Sequence, residues 1–240
     1  MKYDIYLQEN SSVLKNKLGI IDESELDIAE SGMVRTNMSL LYNSGFSDFS
    51  PHGFCEIHKK LFGDVYEWAG EYRSINIQKR ETILAGKSVW YSNWESINTD
   101  MEAAWDKIDE IEWDKLSHDD FAEKIARLFS AVWQIHPFRE GNTRTTVMAI
   151  ALFVEYYGYY FDYKLMAASA GYVRNAFVLC CFDENSEYEH LEKILKDAIS
   201  KTPIEEYDVK ADINGKTSKY KKYYTKDYKP TPHEYVSDKD

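Results

Sequence analysis

The chain has 240 residues, with 29 Lys and Arg against 41 Asp and Glu, a formal charge of −12 and 44% hydrophobic residues. That apolar content supports a sizeable core and excludes global disorder; the acidity argues against nucleic-acid or anionic-membrane partners but leaves room for a local basic pocket. Cys55, Cys180 and Cys181 offer neither metal spacing nor a disulfide framework, the opening MKYDIYLQEN lacks the apolar core of a signal peptide, and no run is long enough for a membrane span. A cytoplasmic protein is expected, and an effector exported without such a signal would read the same way.

Ser12–Leu18 is read as a helix closed by Gly19. A second starts near Asp22 to Ser24 and runs through Leu26, Ala29, Met33, Val34, Leu40 and Leu41 to the stop at Asn43-Ser44-Gly45. The next places Phe54, Ile57, His58, Leu61 and Phe62 on one face and ends at Gly63. His58 lies on the apolar side and is read as a packed, hydrogen-bonded histidine. From Ser74 to Tyr91 the period changes. Ile75 and Ile77 alternate with Asn76 and Gln78, Lys79-Arg80-Glu81 makes a polar tip, and Thr82, Ile83 and Leu84 return, which is a β-hairpin pattern. Trp94, Ile97, Met101, Ala104, Trp105 and Ile108 mark a packing helix, and Ser117 with Asp120 caps the one after it.

That helix, with Phe121, Ile125, Leu128, Phe129, Val132 and Ile135 at helical spacing, leads into His136-Pro-Phe-Arg-Glu-Gly-Asn-Thr-Arg144. An almost wholly apolar run, Val147 to Tyr160, follows and predicts a buried helix. Pro137 ends the first helix and Gly141 permits a left-handed turn, so the polar residues fall on a tight loop between two core helices. Backbone N–H groups from Gly141 to Arg144 would open the second helix as an anion cradle, beside the fixed charge of Arg144. His136 titrates near neutrality and suits a base; Glu140 could hold magnesium with phosphate oxygens and water; Asn142 and Arg144 could orient a polyphosphate. Those residue types together indicate nucleotide phosphate chemistry. Helical patterns return at Tyr163–Phe182 and Glu187–Ser200. Residues 201–240 then carry nine Lys, eight Asp or Glu and six Tyr with few aliphatics, and are read as an extended tail that packs weakly.

The loop resembles the signature of the Fic domain family, HPFx(D/E)GNGRxxR, at His136, Pro137, Phe138, Glu140, Gly141, Asn142 and Arg144. The string from His58 through Leu61-Phe62-Gly63, Tyr66 and Trp68-Ala69-Gly70 to Tyr72-Arg73 is also similar to that family. The resemblance implies a mainly α, Fic-type helical bundle with one β-hairpin flap over residues 1–200, then the tail. It implies transfer of AMP from ATP, with Mg²⁺, to a Ser, Thr or Tyr hydroxyl of a protein target. His136 would be the base, Glu140 the metal ligand, and Gly141, Asn142, Thr143 and Arg144 the ATP-binding set. The flap, residues 74–91 with Ile77, Gln78, Lys79 and Thr82, would pair with target backbone by strand addition.

Two positions of the loop depart from the signature: Thr143 stands where Gly is usual, and Val147 where a second Arg is usual. Within residues 22–44, Ser31-Gly-Met-Val-Arg35-Thr-Asn37 resembles the family's inhibitory helix, with Arg35 at the position of its Glu. Arg35 and Val147 depart at the two partners of one ion pair, so loss of that clamp and weak self-inhibition are expected; a second expectation brings Arg35 to the triphosphate. Thr143 raises the alternative of a Doc-like phosphotransferase holding the nucleotide reversed. Transfer of another nucleotide moiety and a non-catalytic nucleotide-binding interaction module are the remaining alternatives. The partners implied are an unidentified protein target, the enzyme itself through the tail tyrosines and Thr225, and an antitoxin-like inhibitor chain.

Overall fold

The computed structural model describes residues 4–182, 185–204, 219–223, 225 and 233–236. Among them the fold is helical: α1 (Glu23–Tyr42), α2 (Pro51–Phe62), α3 (Ile97–Asp109), α4 (His118–Ile135), α5 (Asn142–Tyr156), α6 (Tyr163–Ala168), α7 (Ala170–Cys180) and α8 (Glu189–Ala198). The strands are short, with β1 (Asn76–Gln78) paired to β4 (Glu234–Val236) and β2 (Tyr160–Phe161) to β3 (Ile199–Ser200), both antiparallel. No described helix is long and apolar enough to cross a membrane.

Local chemistry sets the helix starts. Asp22, Ser50 and Ser117 each accept a hydrogen bond from a first-turn amide, of Glu25, Gly53 and Asp120 respectively, and Pro51 sits just inside α2 where its missing N–H costs nothing. The centre of the bundle is α5. Val147 through Val154 are all buried, packed between α2 and α4. A helix apolar on every side has no solvent face, so its first turn is held from all directions.

Residues 12–18 do not form the expected helix. They fold back on the segment before them through a Leu7–Leu14 bridge and backbone bonds from Gln8 N to Val13 O and from Lys15 N to Tyr6 O. The Asn16 side chain donates to Leu14 O and Ile20 O and accepts from Ile20 N, and such local bonds compete with a helical ladder. In the flap, β1 forms as expected, but the return arm Thr82–Leu84 is a 3₁₀ turn ending in the left-handed Ala85. Glu81 is drawn inward to a buried ion pair with Arg174 of α7, at 2.5 Å, which turns this arm away from β1. The strand beside β1 comes from residues 234–236 instead.

The tail therefore packs where it is described. Tyr223 is 1% exposed and donates to Asp197 Oδ2 at 2.8 Å, and His233 is buried. Of the tail hydroxyls considered for self-modification, Tyr223 is enclosed and Tyr235 half-buried. Thr225 is half-buried too, while Tyr207, Tyr224 and Tyr228 lie outside the described residues.

Candidate active site

The loop closes where two left-handed residues bracket it. His136 (φ 53°, ψ 57°) ends α4, and Gly141 (φ 83°) opens α5. A Cβ added to Gly141 would lie 2.4 Å from the ring of Phe62, which is fully buried, so both the backbone and the packing demand glycine there. Asn142 ties the loop across its neck: its Oδ1 accepts from Phe138 N at 2.9 Å and its Nδ2 donates to Phe138 O at 2.7 Å. Its amide thus ties the loop to itself.

Arg73 holds the other side. Its guanidinium, 2% exposed, donates to the carbonyls of His136 (2.9 Å), Ile75 (2.7 Å) and Ser92, while its own N–H reaches Pro137 O at 2.8 Å. The His136 and Pro137 carbonyls lie at the C-terminal end of α4, where a cation is favoured by the helix dipole. His58 supports the loop from below. It is fully buried, accepts from Gly70 N through Nδ1 (2.8 Å), and therefore donates from Nε2 to Glu140 O (3.1 Å), with its ring stacked 3.8 Å from Phe138. This is the packed histidine expected from the sequence. Burial pushes its pKa down to about 3. Between about pH 6.5 and 3 the unfolded chain then takes up a proton that the folded chain refuses, so stability should fall on acidification by up to about 1.4 kcal/mol per pH unit. Melting temperatures of the wild type and of His58→Gln, followed from pH 7 to 4, should show the shallower decline in the variant; parallel slopes would contradict this.

His136 is 1% exposed and stacks 3.9 Å from Tyr91. Its Nδ1 lies 3.1 Å from Trp133 O, which assigns the proton to Nδ1 and leaves the Nε2 lone pair facing out of the loop. Burial, then the neighbouring His233, Arg174 and Arg73, hold its pKa well below the usual histidine range, so the ring is neutral at pH 7. Glu140 accepts from Gly141 N through Oε1 (2.9 Å) and turns Oε2 toward His233 Nδ1 (3.3 Å). Burial would raise its pKa, but the His233 bond and the charges of Lys79 and Arg144 outweigh it and keep the carboxylate ionised. The amides of Asn142, Thr143 and Arg144 precede the first i→i−4 bond of α5, from Thr145 N to Gly141 O, and so form the N–H cradle. Thr143 does not fill that cradle with its side chain, because its Oγ1 accepts from Trp133 Nε1 at 2.9 Å.

Several residues reach the site that sequence spacing did not single out. Glu30 of α1 is buried and pairs with Arg144 at 2.5 Å; Tyr66 donates to the same carboxylate. An acidic residue of α1 therefore does meet the loop, five positions before Arg35. Arg35 and Ser31 are both exposed on α1, and the arginine does not extend the cradle. Val147 is buried among the core residues of α5. Of the flap residues, Ile77 and Lys79 point inward and are buried, Gln78 is half-exposed, and Thr82 is exposed on the 3₁₀ turn, off the strand. Arg139 is anchored to Asp4 at 2.8 Å, both side chains 5% exposed. His233 places its Nε2 2.9 Å from His136 Nε2.

The sequence model of the Fic/DOC family matches residues 48–154. The protein adenylyltransferase VbhT of Bartonella schoenbuchensis is 31% identical over 161 residues, 67% of this chain and 32% of that protein. A probable protein adenylyltransferase, y4lH, of Sinorhizobium fredii is 32% identical over 156 residues, 62% of this chain and 74% of that protein. The chain thus spans about a third of the VbhT relative but most of the shorter one. Among solved structures, the BepC effector protein of Bartonella tribocorum with bound AMPPNP superposes with a TM-score of 0.71 at 23% identity, covering 82% of this chain and 97% of that one.

Proposed function

The chain belongs to the Fic/DOC family, and on that premise we propose that it transfers AMP from ATP to a hydroxyl of a protein target, with His136 as the base. The observation that carries this reading is the fixed tautomer of His136. With Nδ1–H held by Trp133 O, the neutral ring offers Nε2, and only Nε2, to an incoming hydroxyl. The hydroxyl oxygen attacks the α-phosphorus, its proton passes to Nε2, and the bond to pyrophosphate breaks. The N–H groups at the start of α5 and the Arg144 guanidinium hold phosphate oxygens, and such preorganised donors gain most where charge develops. Asn142 serves by holding the loop that carries them. Arg144 meets Glu30 through Nη1, and its guanidinium carries further N–H groups for the nucleotide.

Glu140 suits magnesium. It is an ionised oxygen donor with Oε2 facing away from its backbone partner, and phosphate oxygens and water would supply the other ligands of this hard cation. When bound, the ion would neutralise phosphate charge. The position of Thr143 favours AMP over γ-phosphoryl transfer, since its side chain is drawn to Trp133 and leaves the cradle open.

Purified protein given ATP labelled at the α- or the γ-phosphate, with magnesium and a cell lysate as source of targets, separates the readings. Label from the α-phosphate alone, on protein, is expected. Label from the γ-phosphate alone would mean a reversed nucleotide and a phosphotransferase; nucleotide binding without label would mean an interaction module.

A further inference from the structure

The flap edge is occupied by the chain's own residues 233–236, and the way they sit describes what that edge selects. β4 adds to β1 in an antiparallel register with Gln78 opposite Glu234, Ile77 opposite Tyr235 and Asn76 opposite Val236. Side chains alternate along an added strand, so one set faces the domain and the other faces outward. His233 and Tyr235 face in. The Tyr235 ring packs against Tyr6, Ile75 and Ile77, with Trp68, Leu14 and Tyr91 around the same cluster. Glu234 faces out, accepts from Gln78 Nε2 at 3.1 Å and lies 3.5 Å from Arg80 Nε. His233 is brought to the catalytic loop, its Nε2 at 2.9 Å from His136 Nε2 and its Nδ1 at 3.3 Å from Glu140 Oε2.

An atom at hydrogen-bond distance from Nε2 of the base stands where a reacting hydroxyl must stand. We infer that residues 233–236 hold the place of a target segment, and that the flap selects targets reading acceptor–acidic–aromatic, the acceptor hydroxyl replacing the ring nitrogen of His233. The inference rests on His136 being the base for hydroxyl transfer. Each position has its own physical ground. The acidic residue meets Gln78 and Arg80 on the outer face. The aromatic one fills an apolar slot, and the Tyr235 hydroxyl is buried there without a hydrogen-bond partner among the described residues, so the slot takes Phe at least as well as Tyr. Main-chain pairing to β1 sets the register that brings the residue before the acidic one to the base. Because His233 carries no hydroxyl, the tethered segment occupies the site as a placeholder, and an external target must displace it against its high effective concentration.

The first test converts the placeholder into a substrate. His233→Thr and His233→Tyr chains, incubated with ATP labelled at the α-phosphate and mapped by mass spectrometry, should acquire one AMP at position 233. The oxygen–phosphorus bond forms as pyrophosphate leaves, and the proton goes to His136. The rate should be independent of protein concentration, and adding Tyr235→Asp should reduce it at least tenfold. Labelling of lysate proteins with position 233 bare in both variants would overturn the inference while sparing AMP transfer. Should nothing be labelled at all, AMP transfer fails and docking decides the remainder. A fluorescent peptide of residues 229–240 should bind the full-length Tyr235→Asp chain, checked as folded by circular dichroism. Binding should weaken at least fivefold with Arg80→Glu in the chain and recover with Glu234→Lys in the peptide, and strengthen with Tyr235→Phe in the peptide. A peptide that does not bind, or that is indifferent to both charge reversals, would overturn the selection rule.

Discussion

His136→Asn is expected to lower kcat for AMP transfer by about 10²–10⁴-fold, the usual contribution of a positioned base, with little change in affinity for ATP. Asparagine is the informative replacement. Position 136 has φ 53°, a left-handed conformation that Asn tolerates better than Ala, so loss of the base is not confounded by a loop that opens. Arg73 donates to the position-136 carbonyl, a backbone group that any residue supplies, so the end of α4 should stay in place. The same site predicts a pH profile. Burial and the positive neighbours hold His136 well below the ordinary histidine range, so the acid limb of kcat/KM should lie on the acid side of an ordinary histidine's. A variant with wild-type turnover, or an acid limb at the ordinary histidine value, would remove His136 from the role.

The second large effect is expected at Gly141. Gly141→Ala must place a methyl group 2.4 Å from the Phe62 ring and hold a non-glycine residue at φ 83°. Overpacking of this kind costs about 1–3 kcal/mol and a left-handed non-glycine residue about 1–2 kcal/mol more. The loop has no slack to absorb it, because Asn142 and Phe138 on either side are buried and bonded to each other. Activity should fall more than 100-fold, since the cradle amides and the Glu140 carboxylate move with the loop, and the melting temperature should drop by several degrees. Shortening the ring with Phe62→Leu in the same chain should restore part of both losses by removing the contact but not the backbone strain. A double variant no better than Gly141→Ala alone would show that the ring is not the obstacle.

The loop was legible because its chemistry is contiguous. Pro137 and Gly141 mark its bends, and the apolar periods on both sides announce α4 and α5, so the place and shape of the site follow from neighbouring residues. What stayed hidden acts across the chain. Glu30 is bonded to Arg144 across 114 positions, Arg73 to His136 across 63 and His233 to His136 across 97, and no local period records such pairings. Arg73 stood within a recognisable string, but nothing in the string says that its guanidinium points at the end of α4. Lys79 read as a solvated tip because Lys79-Arg80-Glu81 is charged throughout; in the fold the strand alternation buries Lys79 and leaves Arg80 outside. The pattern at 12–18 misled for a local reason, since the Asn16 amide supplies the backbone bonds a helix would have used. The tail misled through composition. Its charge hid a four-residue stretch, His233–Val236, that docks through one aromatic side chain, one carboxylate and a strand edge.

The burial of α5 on all sides also bears on how the proposed activity comes into being. A helix with no solvent face has little reason to form alone, because its stability depends on α2 and α4 being in place around it. Its first turn carries the amides proposed to face phosphate, and the bend before it carries His136, the proposed base. If the proposed transfer is right, catalytic competence and closure of the core are one cooperative event, and a newly made or partly denatured chain should be inert toward hydroxyl groups until the whole bundle has assembled. In a urea titration, loss of transfer activity and loss of the near-ultraviolet signal of the core aromatics should coincide in a single transition.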